Sequence, residues 1–314
     1  MFWFVYVIYV ALLLIIMTGK NYSTPILIFT YKRLKSLKRL IKSLKFNKDY
    51  NKHKLYILSD GSKKKSDQAQ INKVRLFCKK ISGFKSKKII LRKENFGLAQ
   101  NITAGVSELI KKYGSVIVLE DDLVVSQNFL EYINLALTKY KKNKKVWHIT
   151  GWSDDLSYKK NENDVYFSKH MNCWGWATWS DRWKYFEKNP NKLIKNWKKT
   201  EINKLDQNGI YNNWSQVLRN KHNQINTWAV FWNITIFKKN GLCLNPINSL
   251  VINKGDDQYS THTIKNSEHL KLQKLSNIKI KNYPIKVEEN ILIKKYLQKK
   301  YSKGLIAKIT NKFF

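Results

Sequence analysis

The sequence predicts an α/β fold: a mostly parallel sheet flanked by helices, continued by a Trp-rich α+β half. Three observations predict it. Short apolar runs alternate with segments whose apolar residues recur at helical spacing, several of those runs end in polar or acidic signatures, and beyond Trp147 the alternation gives way to short Trp-rich pieces.

Residues 25–30 (PILIFT) are a short apolar run, and in residues 32–44 Leu34, Leu37, Leu40, Ile41 and Leu44 repeat as one face of a helix does. Residues 54–58 form a second strand, which ends in the polar turn Ser59-Asp60-Gly61-Ser62. A helix over 67–80, a strand over 88–91 and a helix over 98–113 follow. They lead to SVIVL at 115–119, an unbroken apolar run of the kind buried on both faces in parallel sheets. Residues 124–140 are read as a helix that follows the acidic triplet. Alternation of this kind places the carboxyl ends of the strands along one edge, so Thr30-Tyr31-Lys32-Arg33, Ser59-Asp60-Gly61 and Glu120-Asp121-Asp122 should converge there.

Residues 1–18 form a hydrophobic N-terminal segment, slightly short of the roughly 20 residues that span hydrocarbon, with no basic stretch before it. It is read as a retained membrane anchor. Lys20, Lys32, Arg33 and Lys35 follow it, which places the body of the protein on the cytoplasmic face of the membrane. Residues 22–265 form the main domain, with halves 22–145 and 146–265, and no Pro/Gly/Ser-rich linker divides it. Residues 266–314 form a basic tail with the pattern of an amphipathic helix interrupted at Gly304.

The 43% hydrophobic content, with 11 Trp, excludes a disordered chain, because burial of that much apolar surface offsets ordering entropy. A net charge of +37 invites a nucleic-acid partner, yet the cations are overwhelmingly Lys, dispersed along the chain and often beside Asn. Base-edge readout favours forked Arg, so a solvated surface that adheres to anionic lipid is preferred and no nucleic acid is expected. Cys78, Cys173 and Cys243 are too widely spaced for a disulfide framework or a zinc site, which points to a reducing compartment.

Three adjacent carboxylates directly after a buried strand repel one another at the edge of a low-dielectric core. Hard oxygen ligands there suit Mn²⁺ or Mg²⁺, which would neutralise a departing diphosphate; a solvated acidic turn or helix cap is the other reading. Asp60 is placed to accept the N–H of a uracil base, although Asp and Gly are also favoured in turns on local grounds. Arg33 offers a planar fork to phosphate, or is an ordinary cation at a helix start.

In this order the residues resemble the GT-A glycosyltransferases, and more narrowly the group of N-acetylglucosaminyltransferase I and bacterial polysaccharide-locus sugar transferases. The resemblance spans 25–262. VIVLEDDLVVSQNFLEYI at 116–133 is similar to that group's acidic metal motif and PILIFTYKR to its first strand and nucleotide loop, while ENFGLAQN at 94–101 resembles a loop-to-helix segment beneath the nucleotide. The resemblance implies that Asp122 binds the metal directly, with Asp121 and Glu120 orienting metal and sugar. Thr30, Tyr31, Arg33, Asp60, Asn95 and Asn101 would then line the donor site.

NCWGWATWSDRW at 172–183 is similar to an aromatic stretch of the bacterial relatives, and most of its Trp residues are expected to pack in the core. The half 146–265 would shape the acceptor groove. Asn253, Gly255, Asp257, Thr261 and His262 fit a loop of the group, with Gln258 and Ser260 in place of its glycines. His262 would meet metal or diphosphate.

Inverting transfer needs a carboxylate to deprotonate the acceptor hydroxyl. The group's base region falls near 226–230, where this chain has no acid, and Asp154, Asp155, Asp181 and Asp257 remain as candidates. The reading is therefore metal-assisted transfer from a UDP-sugar, such as UDP-N-acetylglucosamine, to a cell-surface glycan or lipid-linked acceptor at the membrane. Nucleotidyl transfer is the alternative enzyme, but PILIFTYKR lacks the Gly-rich phosphate loop it requires. A non-catalytic basic protein bound to membrane or nucleic acid is the alternative outside catalysis.

Overall fold

The apolar runs become strands of one eight-stranded sheet. The computed structural model describes residues 24–154, 156, 163–255 and 274–310, with side chains to 302. In chain order the first half runs β1 (Ile26–Thr30), α1 (Leu34–Lys45), β2 (Lys54–Ser59), α2 (Gln68–Lys80), β3 (Ser86–Leu91), α3 (Gly97–Tyr113) and β4 (Ser115–Glu120). There follow β5 (Leu123–Val125), α4 (Phe129–Tyr140), β6 (Val146–Thr150), β7 (Val165–Ser168), β8 (Trp176–Trp179) and the short helix α5 (Ser180–Trp183). The chain continues through α6 (Pro190–Asn196), α7 (Lys199–Leu205), α8 (Asn213–Lys221), α9 (Ala229–Lys238), β9 (Leu242–Pro246), β10 (Val251–Asn253) and α10 (Ile291–Thr310).

The sheet order is β3-β2-β1-β4-β8-β6-β9-β7. The first four strands are parallel, β8 runs against both β4 and β6, and β7 runs against β9. Period-two alternation splits the core. Ile26, Ile28, Ile117 and Leu119 face α1 and α4, while Leu27, Phe29, Val116 and Val118 face α3 and a cluster of Trp147, Trp176, Trp183, Trp228 and Trp232. The downstream Trp residues thus pack largely in the core, as their sequence context suggested. Buried His148 sits among them: its Nδ1 accepts from Trp232 Nε1 at 3.2 Å, which leaves Nε2–H to donate to the Asn172 carbonyl at 2.9 Å. Burial pushes this imidazole down to about 4.

The helix read over 124–140 begins only at Phe129. Leu123, Val124 and Val125 instead pair antiparallel with Asn253, Ile252 and Val251, and Val125 N–H donates to Ser43 Oγ at 3.1 Å. Local spacing could not show this, because the partner strand lies far along the chain. The cysteines are free, with Cys78 and Cys243 buried.

The C-terminal region packs on the domain. Asp164 Oδ2 accepts from the backbone N–H groups of Lys281 and Asn282 at 2.7 and 2.8 Å, and Ile293 and Leu297 are buried against Leu156, Tyr166 and Ile247. The helix α10 runs through Gly304 without the interruption the sequence suggested. A single glycine costs a helix only about 1 kcal/mol, which neighbouring turns absorb. Among the described residues no helix is long and apolar enough to cross a membrane, and the hydrophobic segment 1–18 lies outside them.

Candidate functional site

Parallel pairing of β2, β1 and β4 brings their three polar ends together, as Thr30 aligns with Ser59 and Phe29 with Glu120. Asp121 is buried at the centre. Its Oδ2 accepts from Thr30 Oγ1 at 2.8 Å and from Tyr31 N–H at 3.2 Å, and its Oδ1 lies 3.0 Å from Arg33 Nη2. The same Arg33 nitrogen is 3.1 Å from Asp122 Oδ2. Arg33, read as a phosphate ligand, is therefore first of all the counter-ion of the triplet.

The carboxylates remain strained electrostatically. Burial, then Asp122 and Asp121, push Glu120 up to about 8; burial pushes Asp121 up to about 6 against the opposing pull of Arg33 and the Thr30 and Tyr31 donors. Both folded values lie above the unfolded ones, so the folded chain holds the extra protons. Stability from these groups is present below about pH 4 and is lost as pH rises through 6 and then 8. A cation at this edge reverses that penalty.

The test of a divalent ion is whether an oxygen is left for it. Asp122 Oδ1 is buried and finds no hydrogen-bond partner among the described residues. The β5–β10 pairing folds the chain back beside it: Lys254 N–H donates to the Asp122 carbonyl at 2.8 Å, and Gly255 N–H to Asn253 Oδ1 at 2.7 Å. A Cβ on Gly255 would stand 2.8 Å from Asn253 Oδ1 and Asp122 Oδ2 and 3.2 Å from Arg33 Nη1, so any larger residue would press on these side chains. Among the described residues no three His, Cys, Asp or Glu side chains gather to hold a metal by themselves. Mg²⁺ and Mn²⁺ at nucleotide sites use one or two carboxylates, completing their shells with phosphate and water, so the residues fit an ion that arrives with its donor. Asp121, named with Asp122 for the ion, already has both oxygens engaged.

The turn after β2 is closed more tightly than its sequence suggests. Asp60 Oδ1 accepts from the N–H groups of Gly61 and Phe96, each at 2.9 Å, and Oδ2 from Gly97 N–H and Asn95 Nδ2, each at 3.0 Å. All four lone-pair positions are filled, so a uracil N–H reaches this carboxylate only by displacing a donor. Asn95 also donates to the Gly61 carbonyl at 2.8 Å, and a Cβ on Gly61 would lie 2.2 Å from the Glu94 carbonyl carbon. Gly61→Ala is expected to cost about 1–3 kcal/mol of stability by pushing two backbone segments apart. A thermal melt checks this, and an unchanged midpoint would show that the two turns are not tightly apposed.

Other candidates fall elsewhere. Asn101 is 2% exposed and is used inside α3, donating to the Gly97 carbonyl at 3.0 Å and accepting from Arg92 Nε at 3.3 Å, so it braces the start of that helix. Asp181 follows β8, whose end pairs with the start of β4, so it sits at the opposite sheet edge, bonded to Lys144 and Arg182. Asp154 lies at the correct edge but is held by Lys300 Nζ at 2.8 Å and Tyr301 Oη at 2.9 and 3.0 Å. Asp155, Asp257 and His262 lie outside the described residues. Two neighbours were missed in the sequence reading. Cys173 lies in the field of Glu120 and Asp122, which adds to burial in raising its thiol, and Ser43 fixes the strand after the triplet. Neither carries a recognisable local signal.

The family model described as Glycosyl transferase family 2 matches residues 26–201. No curated protein matches the sequence. Among solved structures, S. aureus TarS is similar over 40% of this chain and 21% of its own, at 13% identity and a TM-score of 0.30. The mannosyltransferase PcManGT from Pyrobaculum calidifontis, in complex with GDP-Man and Mn2+, is similar over 55% of this chain and 53% of its own, at 10% identity and a TM-score of 0.36. The chain thus spans about half or less of the length of these two proteins.

Proposed function

The chain belongs to glycosyl transferase family 2 and is a glycosyltransferase, and from that premise we propose that it inverts a UDP-sugar onto a cell-surface glycan or lipid-linked acceptor at the cytoplasmic membrane face. UDP-N-acetylglucosamine is the donor we favour. The observation that carries the reading is the buried Asp122 Oδ1, without a hydrogen-bond partner among the described residues, beside the Arg33 fork at the edge where a diphosphate would sit.

In the transfer, the acceptor oxygen bonds to the anomeric carbon while that carbon's bond to the diphosphate oxygen breaks, its electron pair leaving with the nucleotide. The hydroxyl proton passes to a carboxylate. Asp122 would hold Mn²⁺ or Mg²⁺, which supplies Lewis-acid stabilisation of the diphosphate charge. Arg33 and Asp121 keep Asp122 oriented, and the Asp60 clamp shapes the floor under the nucleotide. For the proton acceptor we retain Asp155, Asp257 and Asp154, the last requiring release from Tyr301 and Lys300. His262 we keep as a contact to metal or diphosphate.

A thermal-shift panel of UDP, GDP, CMP and nucleotide-sugars, with and without Mn²⁺, tests the reading. UDP-sugars with Mn²⁺ at about 100 times Kd are expected to stabilise the fold by roughly 2.7 kcal/mol, a shift of about 5–10 °C. Stabilisation by no nucleotide in either condition would remove the donor site.

A further inference from the structure

The two most exposed large apolar side chains of the described surface are Ile285 and Leu292, at 101% and 81%. They are not scattered. With Ile291, Pro284, Tyr166 and Phe167 they line one open cleft of about 560 Å³ between the C-terminal region and the edge strand β7. Lys286, Glu288 and Glu289 line it too, and Lys281, Lys295 and Lys299 are exposed on the same C-terminal segment. Over 274–314 the sequence has eleven Lys against two Glu.

This patch is held rigidly. Asn290 N–H donates to the Phe167 carbonyl at 2.9 Å, Ile293 and Leu297 are buried, and Lys300 and Tyr301 grip Asp154. With 293, 297, 300 and 301 turned inward, helical geometry sends 291, 292, 295 and 299 outward together. Protruding apolar side chains on a segment with several exposed lysines suit an interface where hydrocarbon lies below a layer of phosphate: Ile and Leu enter the acyl boundary while Lys ammonium groups stay at headgroup level. A second copy of the chain is a poor occupant, because two bodies of net charge +37 repel, whereas an anionic lipid surface attracts.

We propose that the surface formed by Ile285, Ile291 and Leu292 with Lys281, Lys286, Lys295 and Lys299 docks the enzyme onto an anionic lipid bilayer. This deepens the membrane-side acceptor reading above and rests on it. Val165, at the start of β7, pairs with Pro246 at the same edge that carries the acidic triplet, and four strand spacings, roughly 19 Å, separate β7 from β4. Docking here would face the catalytic edge toward a membrane-borne acceptor while leaving the donor end in water.

Vesicle flotation of the full chain tests the proposal, with phosphatidylglycerol-containing and pure phosphatidylcholine vesicles compared. The wild type is expected to bind the anionic vesicles at least about tenfold more tightly, and the Ile285→Ser/Leu292→Ser and Lys286→Glu/Lys295→Glu variants each to lose about tenfold. Unchanged binding in both variants overturns the proposal, because another segment such as 1–18 then carries the attachment. So does sedimentation showing a wild-type dimer that Ile285→Ser/Leu292→Ser splits without altering vesicle binding. UDP-sugar thermal shifts on the same samples separate the two readings. Weakened flotation with donor stabilisation retained supports docking, and absent donor stabilisation in the wild type fails the transfer reading while leaving the flotation result to decide docking.

Discussion

Asp122→Asn is expected to lower sugar transfer by about 10³-fold or more, equivalent to about 4 kcal/mol of barrier, while the apo protein melts no lower than the wild type. The two halves of this expectation come from one geometry. Asp122 Oδ1 is buried with no hydrogen-bond partner among the described residues, and Arg33, weakened toward Asp122 Oδ2, keeps Asp121 Oδ1 at 3.0 Å. Removing the charge also eases the repulsion that helps push Glu120 up to about 8. What is lost is the ligand offered to a divalent ion. Calorimetry with Mn²⁺ and UDP should therefore show binding in the wild type and little in the variant. Asp121→Asn supplies the contrast, since Asp121 braces Thr30, Tyr31 and Arg33 and its loss should lower the melting temperature as well as activity. Full transfer and full Mn²⁺ binding by Asp122→Asn would abandon the metal role.

Arg182→Met is expected to destabilise the fold by about 3–5 kcal/mol. Arg182 is 2% exposed and lies on the Trp179 ring, with its guanidinium carbon 4.5 Å from the ring centre. Its Nη2 donates to the carbonyls of Lys141, Asn143 and Tyr140 at 2.9, 3.0 and 3.3 Å, and its Nε to Val146 at 3.3 Å. Met would fill much of the volume but take a donor from four carbonyls, of which those of Tyr140 and Asn143 keep a backbone N–H, and it would leave Asp181 to Lys144 alone. Urea denaturation should show a lower midpoint with an unchanged slope. A loss below about 1 kcal/mol would mean that water reaches those carbonyls after all.

The strand-helix alternation of the first half was legible because each unit is local: an apolar run of five or six residues and a helical stripe, as in 26–45 and 97–120. The convergence of Thr30, Arg33 and Asp121 was legible for the same reason, since parallel strands must end along one edge. Pairings between distant segments were not. Nothing in LVV at 123–125 announces that VIN at 251–253 lies across from it, so a helix was read where a strand stands. Asp60 reads as an open carboxylate in a turn, and only the fold shows that Phe96, Gly97 and Asn95 fill it. Asp154 looks available until Tyr301, 147 residues later, is found against it.

The ribbon formed by β5 and β10 also bears on how the enzyme comes into being. The parallel layer needs Ile26 to meet Leu55 and Ile117, so all its partners are made once β4 is complete. The stretch beside Asp122 waits for Val251, Ile252 and Asn253, more than a hundred positions downstream. Synthesis from the N-terminus therefore yields a scaffold before it yields a finished edge, and a nascent chain has its acids in place well before it has the β10 ribbon and Gly255 beside them.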